Sequence, residues 1–155
     1  IGGRRAVEVP EAVTIHNLDA LGIDGDPGTL HGEQWNFERP DVPFLLHDYT
    51  EGPAPLGDRE FDLCWSVEFL EHVDEKYMDN WMVDASRCRY VICTHAEPGD
   101  GGHHHVNEQP YDYWVDKFHC FGFNFDVDLT NELREASTMT KRFMRENGLV
   151  FIRRL

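Results

Sequence analysis

The sequence predicts an α/β fold in which a mostly parallel sheet carries helices on both faces. Short apolar runs of strand character alternate with segments of helical periodicity, which is the pattern of strands joined by crossover helices. The chain has 155 residues, enough to bury one hydrophobic core. We therefore expect residues 1–155 to form a single domain. Because the chain starts at Ile1 rather than Met, we also expect this domain to be incomplete at its N-terminal end.

The strand candidates are short apolar runs, most of which end at a polar residue or a turn. They are residues 20–24, 42–46, 61–66, 89–94, 123–129 and 149–152. Runs of this length bounded by Gly, Pro or Asp are typical of buried strands. The segments 50–60 and 97–107, rich in Pro and Gly or in Gly and His, are predicted to be loops.

Helical periodicity appears between these strands. Residues 67–87 carry apolar side chains at helical spacing, and residues 109–121 form an amphipathic segment between Pro110 and Gly122. Its aromatic residues are more typical of a core than of a ligand cage. We expect a short helix and loop in 29–43, and helical or irregular structure in 131–147.

Charge restricts the partners. The formal net charge is −15, with 29 acidic against 14 basic residues. Such an acidic protein repels a phosphate backbone, which makes nucleic acid an unfavourable partner. The sequence contains no apolar run of the roughly 18 residues that a membrane span needs, so no membrane partner is expected.

The cysteines indicate the compartment. There are four, at positions 64, 88, 93 and 120, and none forms a CxxC pair. This pattern argues against a disulfide framework or a structural zinc site. We therefore expect a reducing, cytoplasmic environment.

The residues at the strand ends are the first candidates for a binding site, since ligands of open α/β sheets bind beyond the carboxyl ends of the strands. They are Asp24, Asp48, Ser66 and Thr94. Asp24 follows Gly2 and Gly3 by roughly 20 residues, a spacing that suits a nucleotide site whose acid accepts two ribose hydroxyls. A carboxylate that only closes a turn is the alternative for Asp24 and also for Asp48.

Three successive segments resemble class I S-adenosylmethionine-dependent methyltransferases of the small-molecule type. They are Gly22-Ile23-Asp24-Gly25-Asp26-Pro27, His47-Asp48-Tyr49-Thr50, and the stretch FDLCWSVEFLEHV at 61–73. The third is the most specific, and the order and spacing of all three agree with the family. The closing segment, 136–151, is similar to that of certain members, so the resemblance covers about residues 20–155.

The resemblance implies a Rossmann-like methyltransferase fold with an antiparallel last strand, and S-adenosylmethionine as cofactor. Asp24 would bind the ribose hydroxyls, Asp48 would contact the adenine, and Ser66 would line the methionine side. Gly25 follows the ribose-binding acid, and Gly2 and Gly3 would be the remnant of the family's glycine-rich loop. The family's first strand and most of that loop have no counterpart in this sequence.

The implied reaction is methyl transfer by direct in-line displacement to a small-molecule, glycan or protein acceptor. Glu68 and His72 lie four residues apart and share one face of a helical turn, where they could flank the reacting atoms. His105 belongs to the loop that commonly covers the substrate in this family. The alternatives are that His72 only orients the turn and that His105 belongs to a solvated loop.

Histidines 103–105 are consecutive, with His95 nearby, and imidazoles are good metal ligands. Three consecutive residues rarely direct their side chains at one ion, and no known metal-binding spacing is present. The sequence therefore predicts no metal site.

Two other classes of function stay open. One is a catalytically inactive methyltransferase-like module with a binding or structural role, which a missing glycine loop would favour. The other is a different nucleotide-binding enzyme, such as a nicotinamide-dependent oxidoreductase. The Ser-x-Glu-x-Leu-Glu-His segment at 66–72 argues against the oxidoreductase.

Overall fold

The computed structural model describes residues 19–27 and 43–154. Its strands are β1 (Gly22–Asp24), β2 (Phe44–Leu46), β3 (Phe61–Ser66), β4 (Cys88–Cys93), β5 (Phe123–Phe125) and β6 (Leu149–Arg153). Its helices are a 3-10 turn (Leu70–His72), α1 (Glu75–Ala85), α2 (Tyr111–Cys120), α3 (Val127–Ala136) and α4 (Phe143–Asn147). The predicted mixed α/β class is therefore confirmed. The predicted helix and loop at 29–43 lie almost entirely outside the described residues.

The strands of the described ranges form two sheets. β1 and β2 pair in parallel, with Asp24 opposite Leu46. The other sheet has the order β3-β4-β6-β5, in which β3 and β4 are parallel and β6 is antiparallel to both of its neighbours. β3, β4 and β5 therefore share one direction and β6 has the opposite one. The predicted parallel sheet with an antiparallel last strand is confirmed.

The segment after β2 is anchored to α1 and to the turn after β3. The backbone carbonyl of Tyr49 accepts a hydrogen bond of 2.7 Å from Asn80 Nδ2 on α1. The Tyr49 ring lies edge-on to the Phe69 ring, with centroids 6.0 Å apart. The backbone N–H of Ala54 donates to the buried Asp84 Oδ2 at 2.7 Å. These contacts fix the loop that follows β2 against α1 and the turn after β3.

The core joins α2 to the antiparallel end of the sheet. Trp114 and Phe118 of α2 are fully buried, as are Phe123 and Phe151. The rings of Phe118 and Phe151 stack with centroids 3.9 Å apart and planes 12° from parallel. The predicted core role of the aromatic stretch is thus confirmed for its most buried members.

Two predicted boundaries were wrong, and an aspartate at a helix start explains each. Residues 67–87 do not form one helix, because Asp74 caps the N-terminus of α1 and accepts a hydrogen bond from Lys76 N. The predicted strand 123–129 stops at residue 125, because Asp126 caps α3 and accepts from Leu129 N at 2.9 Å. Helix α2 ends as predicted before Gly122, whose φ of 88° few other residues tolerate.

None of the helices in the described ranges has the length and apolar character that crossing a bilayer requires.

Candidate functional site

The structure places the predicted binding residues at the carboxyl ends of the parallel strands. Asp24 and Ser66 are the last residues of β1 and β3, Asp48 follows β2, and Thr94 follows β4. Because strands of a parallel pair end at the same edge, Asp24 and Asp48 lie at neighbouring strand ends, as do Ser66 and Thr94.

Asp24 combines burial with a local turn. The residue is 7% exposed, and Oδ1 accepts a hydrogen bond of 2.8 Å from the backbone N–H of Asp26. Burial raises the pKa of the Asp24 carboxyl, although this hydrogen bond opposes the shift. A carboxylate can accept about four hydrogen bonds, so the turn leaves capacity for a ligand. Gly25, half-buried, follows directly.

Asp48 is exposed. Its Oδ1 accepts a hydrogen bond of 2.8 Å from the backbone N–H of Thr50, which lowers the pKa of this carboxyl. Asp48 therefore closes a turn, which is the alternative that the sequence left open. Its contact with the adenine stays a prediction.

Ser66 and Thr94 form the inner part of the same edge. Ser66 is 6% exposed, and its Oγ has no hydrogen-bond partner among the described residues. Its backbone carbonyl accepts from Thr94 N at 3.1 Å. A buried hydroxyl of this kind is costly unless a further group supplies a partner.

Glu68 lies in a turn that Thr94 holds. Its backbone has φ 53°, in the left-handed region that residues other than glycine rarely adopt. Its N–H donates to the fully buried Thr94 Oγ1 at 2.7 Å. The sequence indicated that Thr94 ends a strand, but gave no sign that its hydroxyl fixes the turn at Glu68.

The structure brings His72 and His105 together and adds Glu71. The two imidazole rings are edge to face, with centroids 5.0 Å apart. The possible ligand atoms of Glu71, His72 and His105 all lie within 4.8 Å of one another. The histidine-rich loop reaches this position because the backbone N–H groups of Val106 and Asn107 both donate to the Glu71 carbonyl, at 2.9 and 3.1 Å.

Both clustered imidazoles are oriented through Nδ1. That of His72 lies 3.1 Å from the carbonyl oxygen of His104, and that of His105 lies 3.1 Å from Glu108 Oε1. Burial lowers the pKa of His72, which favours the neutral ring. His103 and His104 are exposed, and their rings lie edge to face, with centroids 4.0 Å apart. Of the three consecutive histidines, only His105 joins the cluster with Glu71 and His72.

Two further polar residues near the site, Asn107 and His95, are buried. Asn107 is 2% exposed, and neither of its amide atoms has a hydrogen-bond partner within residues 19–27 and 43–154. His95 is 3% exposed, packs against Trp114 and has its pKa lowered by burial.

Other candidate positions lie elsewhere. Gly2 and Gly3 fall outside the described residues. The four cysteines are free, and Cys88 and Cys93 are buried. A shallow depression near Phe61, Arg89 and Arg153 contains none of the predicted site residues.

Similar folds occur among solved structures. LepI in complex with S-adenosylmethionine is 12% identical with a TM-score of 0.61, over 96% of this chain and 39% of LepI. A chain from the complex between the Haloferax volcanii Trm112 methyltransferase activator and a methyltransferase is 15% identical with a TM-score of 0.61, over 94% of this chain and 76% of that one. Magnesium protoporphyrin IX methyltransferase from Synechocystis, with S-adenosylhomocysteine bound, is 14% identical with a TM-score of 0.53, over 86% and 64%.

A structure described as a pericyclic reaction enzyme is also similar, with 11% identity, a TM-score of 0.58 and coverage of 96% of this chain and 40% of that one. This chain thus spans about two fifths of the length of LepI and of the pericyclic enzyme. No protein-family model matches the sequence, and no curated protein is significantly similar to it. The structural likenesses nevertheless show that the chain has the Rossmann-like fold of the class I S-adenosylmethionine-dependent methyltransferases.

Proposed function

We propose that this protein is a methyltransferase that uses S-adenosylmethionine to methylate a small-molecule, glycan or protein acceptor. The observation that carries the proposal is the buried carboxylate of Asp24 at the end of β1, in a fold whose solved examples include complexes with S-adenosylmethionine and S-adenosylhomocysteine.

The polar groups at the strand ends fit this cofactor. Asp24 keeps acceptor capacity for a pair of ribose hydroxyls beyond its bond to Asp26 N. The buried Ser66 hydroxyl suits the amino-acid part of the cofactor, since it has no other partner within the described part of the chain. Asp48 would contact the adenine, and Gly25 would allow close approach of the backbone. Gly2 and Gly3 would contribute from the segment outside the described residues.

The bound cofactor would supply a methyl group on a positively charged sulfur, which is already activated for transfer. The protein then has to position the acceptor in line and help remove any proton that the acceptor carries. We assign the acceptor side to Glu68, His72 and His105. The strained turn at Glu68, held by Thr94, and the loop docked on Glu71 bring these groups near the end of β3.

The acceptor classes follow from charge. With a formal charge of −15, the protein disfavours approach of a nucleic acid, whereas a small molecule, a glycan or a protein side chain meets no such barrier. The buried amide of Asn107, beside the histidine loop, offers a donor and an acceptor for a polar group of such a molecule.

The first test is a calorimetric titration of the full chain with S-adenosylmethionine and with S-adenosylhomocysteine. We expect saturable micromolar binding and a dose-dependent rise in melting temperature, because a ligand that binds only the native state stabilises it. A folded protein that binds neither compound would exclude the proposed function.

Cofactor binding without methyl transfer is the second candidate function. It is favoured by the similarity to a structure described as a pericyclic reaction enzyme, since one fold can carry different chemistries. Incubation with methyl-labelled S-adenosylmethionine and pools of small-molecule, glycan and protein acceptors separates the two. Labelled product supports the methyltransferase, and cofactor binding with no labelled product in any pool supports the alternative.

A further inference from the structure

We infer that Glu71, His72 and His105 bind a divalent transition-metal ion. One carboxylate oxygen and two imidazole nitrogens, each from one of these residues, lie within 4.8 Å of one another. Two imidazoles and a carboxylate form a ligand set that zinc, iron and related divalent ions accept. The residues come from two segments, the 3-10 turn and the histidine-rich loop, which only the fold brings together.

The hydrogen bonds leave one nitrogen of each imidazole free for a metal. A backbone carbonyl can only accept, so His72 Nδ1 must carry the proton that it donates to His104 O. An ionised carboxylate also only accepts, so His105 Nδ1 must donate to Glu108 Oε1. In a neutral imidazole the other nitrogen, Nε2, then holds an unprotonated lone pair. A carboxylate behind a ligating histidine is a common arrangement in metal sites.

Gly102 packs on the His105 ring without blocking that lone pair. A Cβ added to Gly102 would lie 2.4 Å from His105 Nε2, 2.5 Å from Cε1 and 2.7 Å from Cδ2. Because these three distances are nearly equal, the added carbon would lie over the face of the ring and not along the in-plane lone pair. Glycine at position 102 therefore lets the backbone pack against the face of the His105 ring, where a side chain would clash. This contact does not cover the in-plane lone pair of Nε2.

The surrounding contacts hold the ligands in place. The loop is docked on the Glu71 carbonyl by two backbone N–H groups, those of Val106 and Asn107. Glu108 also accepts a hydrogen bond of 2.9 Å from Gly99 N, so the residue that orients His105 is itself fixed within the loop. Glu71 is 1% exposed, and a cation beside a buried carboxylate offsets its loss of hydration. Such preorganisation favours binding, since few groups must be ordered when the ion enters.

The inference about ion binding is independent of the proposed methyl transfer, whereas a catalytic role for the ion rests on that proposed function. Three protein ligands leave a coordination position for water or for an acceptor oxygen. A metal-bound hydroxyl group loses its proton more readily than a free one. His72 and His105 would then assist the acceptor as ligands of the ion and not as proton acceptors.

The test is titration of the metal-free full chain with Co²⁺, followed by visible absorption, and with Zn²⁺, followed by calorimetry. We expect one ion per chain. His72→Ala and His105→Ala should each weaken binding at least tenfold, and Glu108→Gln roughly 10–100-fold, since outer partners of ligating histidines have effects of that size. His103→Ala is the matched control, because it removes an exposed imidazole from the same loop and should leave the affinity unchanged.

Absence of binding by the wild-type chain would overturn the inference. So would equal weakening in His103→Ala and His105→Ala, which would assign the ion to the exposed histidine run. Circular dichroism verifies the fold of each variant. If a histidine variant fails to fold, Glu108→Gln tests the metal site in its place, because the Glu108 side chain is less buried than that of His105. Titration of the metal-free chain with S-adenosylhomocysteine tests cofactor binding by itself. A failure of metal binding is thereby distinguished from a failure of the proposed function.

Discussion

At the scale of single residues, one substitution can separate the observed turn contact of Asp24 from its proposed role in binding the ribose. Its Oδ1 closes the turn with Asp26 N, and the rest of the carboxylate is proposed to hold the ribose. Asn at this position keeps an oxygen for the turn but loses the negative charge and one acceptor. The substitution therefore tests ligand binding without removing the local fold.

We predict that Asp24→Asn weakens binding of S-adenosylhomocysteine by about 10–100-fold. The reason is that hydrogen bonds to a charged group contribute about 1.5–3 kcal/mol each. Calorimetry on both proteins measures the change. Asp62→Asn, at an exposed position of β3, is the control and should bind normally. Unchanged affinity in Asp24→Asn would refute the ribose assignment.

We further predict that His105→Ala lowers turnover more than it lowers affinity for the cofactor. His105 lies in the loop that contacts Glu71, on the proposed acceptor side. Steady-state rates and calorimetric affinities of the variant and of His103→Ala give the comparison. Equal losses of turnover and of cofactor affinity would contradict the acceptor-side assignment.

The buried imidazole of His95 links stability to pH. Burial lowers the pKa of His95, so at a pH below its usual value of about 6.5 the unfolded chain takes up a proton that the folded chain resists. Because the unfolded state binds more protons there, this residue makes the free energy of unfolding decrease as the pH falls from 7 towards 5. Its contribution is fully present above that range.

Replacing His95 with Gln should therefore flatten the pH dependence of stability over this interval. Urea unfolding of the wild type, of His95→Gln and of the exposed-site control His103→Gln at several pH values measures the slopes. Parallel curves for the wild type and His95→Gln would show that the buried imidazole does not contribute.

At the scale of elements, the turn between β3 and the 3-10 turn depends on a side chain from another strand. Thr94, just after β4, accepts the backbone hydrogen bond of Glu68, whose φ of 53° is costly for a residue with a side chain. The contact joins the ends of two parallel strands to the start of the segment that carries Glu71 and His72. The position of the candidate site thus depends on the pairing of β3 with β4.

We predict that Thr94→Val lowers the free energy of unfolding by about 1–3 kcal/mol, because valine has nearly the shape of threonine but no hydroxyl to accept the hydrogen bond from Glu68 N. For a chain of this size that corresponds to a fall in melting temperature of roughly 2–4 °C per kcal/mol. Thr94→Ser keeps the hydroxyl and should lose less stability. Scanning calorimetry of the wild type and the two variants measures the change in stability. A loss of stability in Thr94→Ser as large as that in Thr94→Val would show that the hydroxyl does not stabilise the turn.

The elements also show where periodicity alone misleads. Asp74 and Asp126 each start a helix within a segment that the sequence pattern assigned to a single longer helix or strand. A capping side chain satisfies backbone N–H groups at one position, and an apolar periodicity averaged over many residues does not reveal it. Apart from β5, the strands, which are short and apolar, were predicted to within two residues.

At the scale of the whole molecule, the formal net charge predicts how stability responds to salt. A formal charge of −15 over 155 residues implies repulsion within the compact state. Raising the ionic strength from about 10 mM to 150 mM shortens the screening length from roughly 30 Å to 8 Å. We therefore predict a higher melting temperature at the higher salt concentration.

Thermal unfolding in NaCl and in KCl at matched ionic strength tests this prediction. Screening acts through ionic strength and not through the identity of the cation, so the two salts should give the same rise. A melting temperature that falls with either salt would indicate that attractive ion pairs outweigh the net repulsion.

The sequence by itself determined the α/β class, the order of its elements and the strand-end positions of Asp24, Asp48 and Ser66. These features are local, since the length of an apolar run and the polar residue that ends it can be recognised without knowledge of any distant contact.

Only the tertiary structure decided which groups meet. Glu71 and His72 lie next to His105 because the loop after β4 docks on the Glu71 carbonyl, and Glu68 is held by Thr94 because β3 and β4 pair in parallel. Each of these contacts joins residues far apart in the chain. Their geometry follows from sheet register and loop docking, and neither leaves a periodic signal in the sequence.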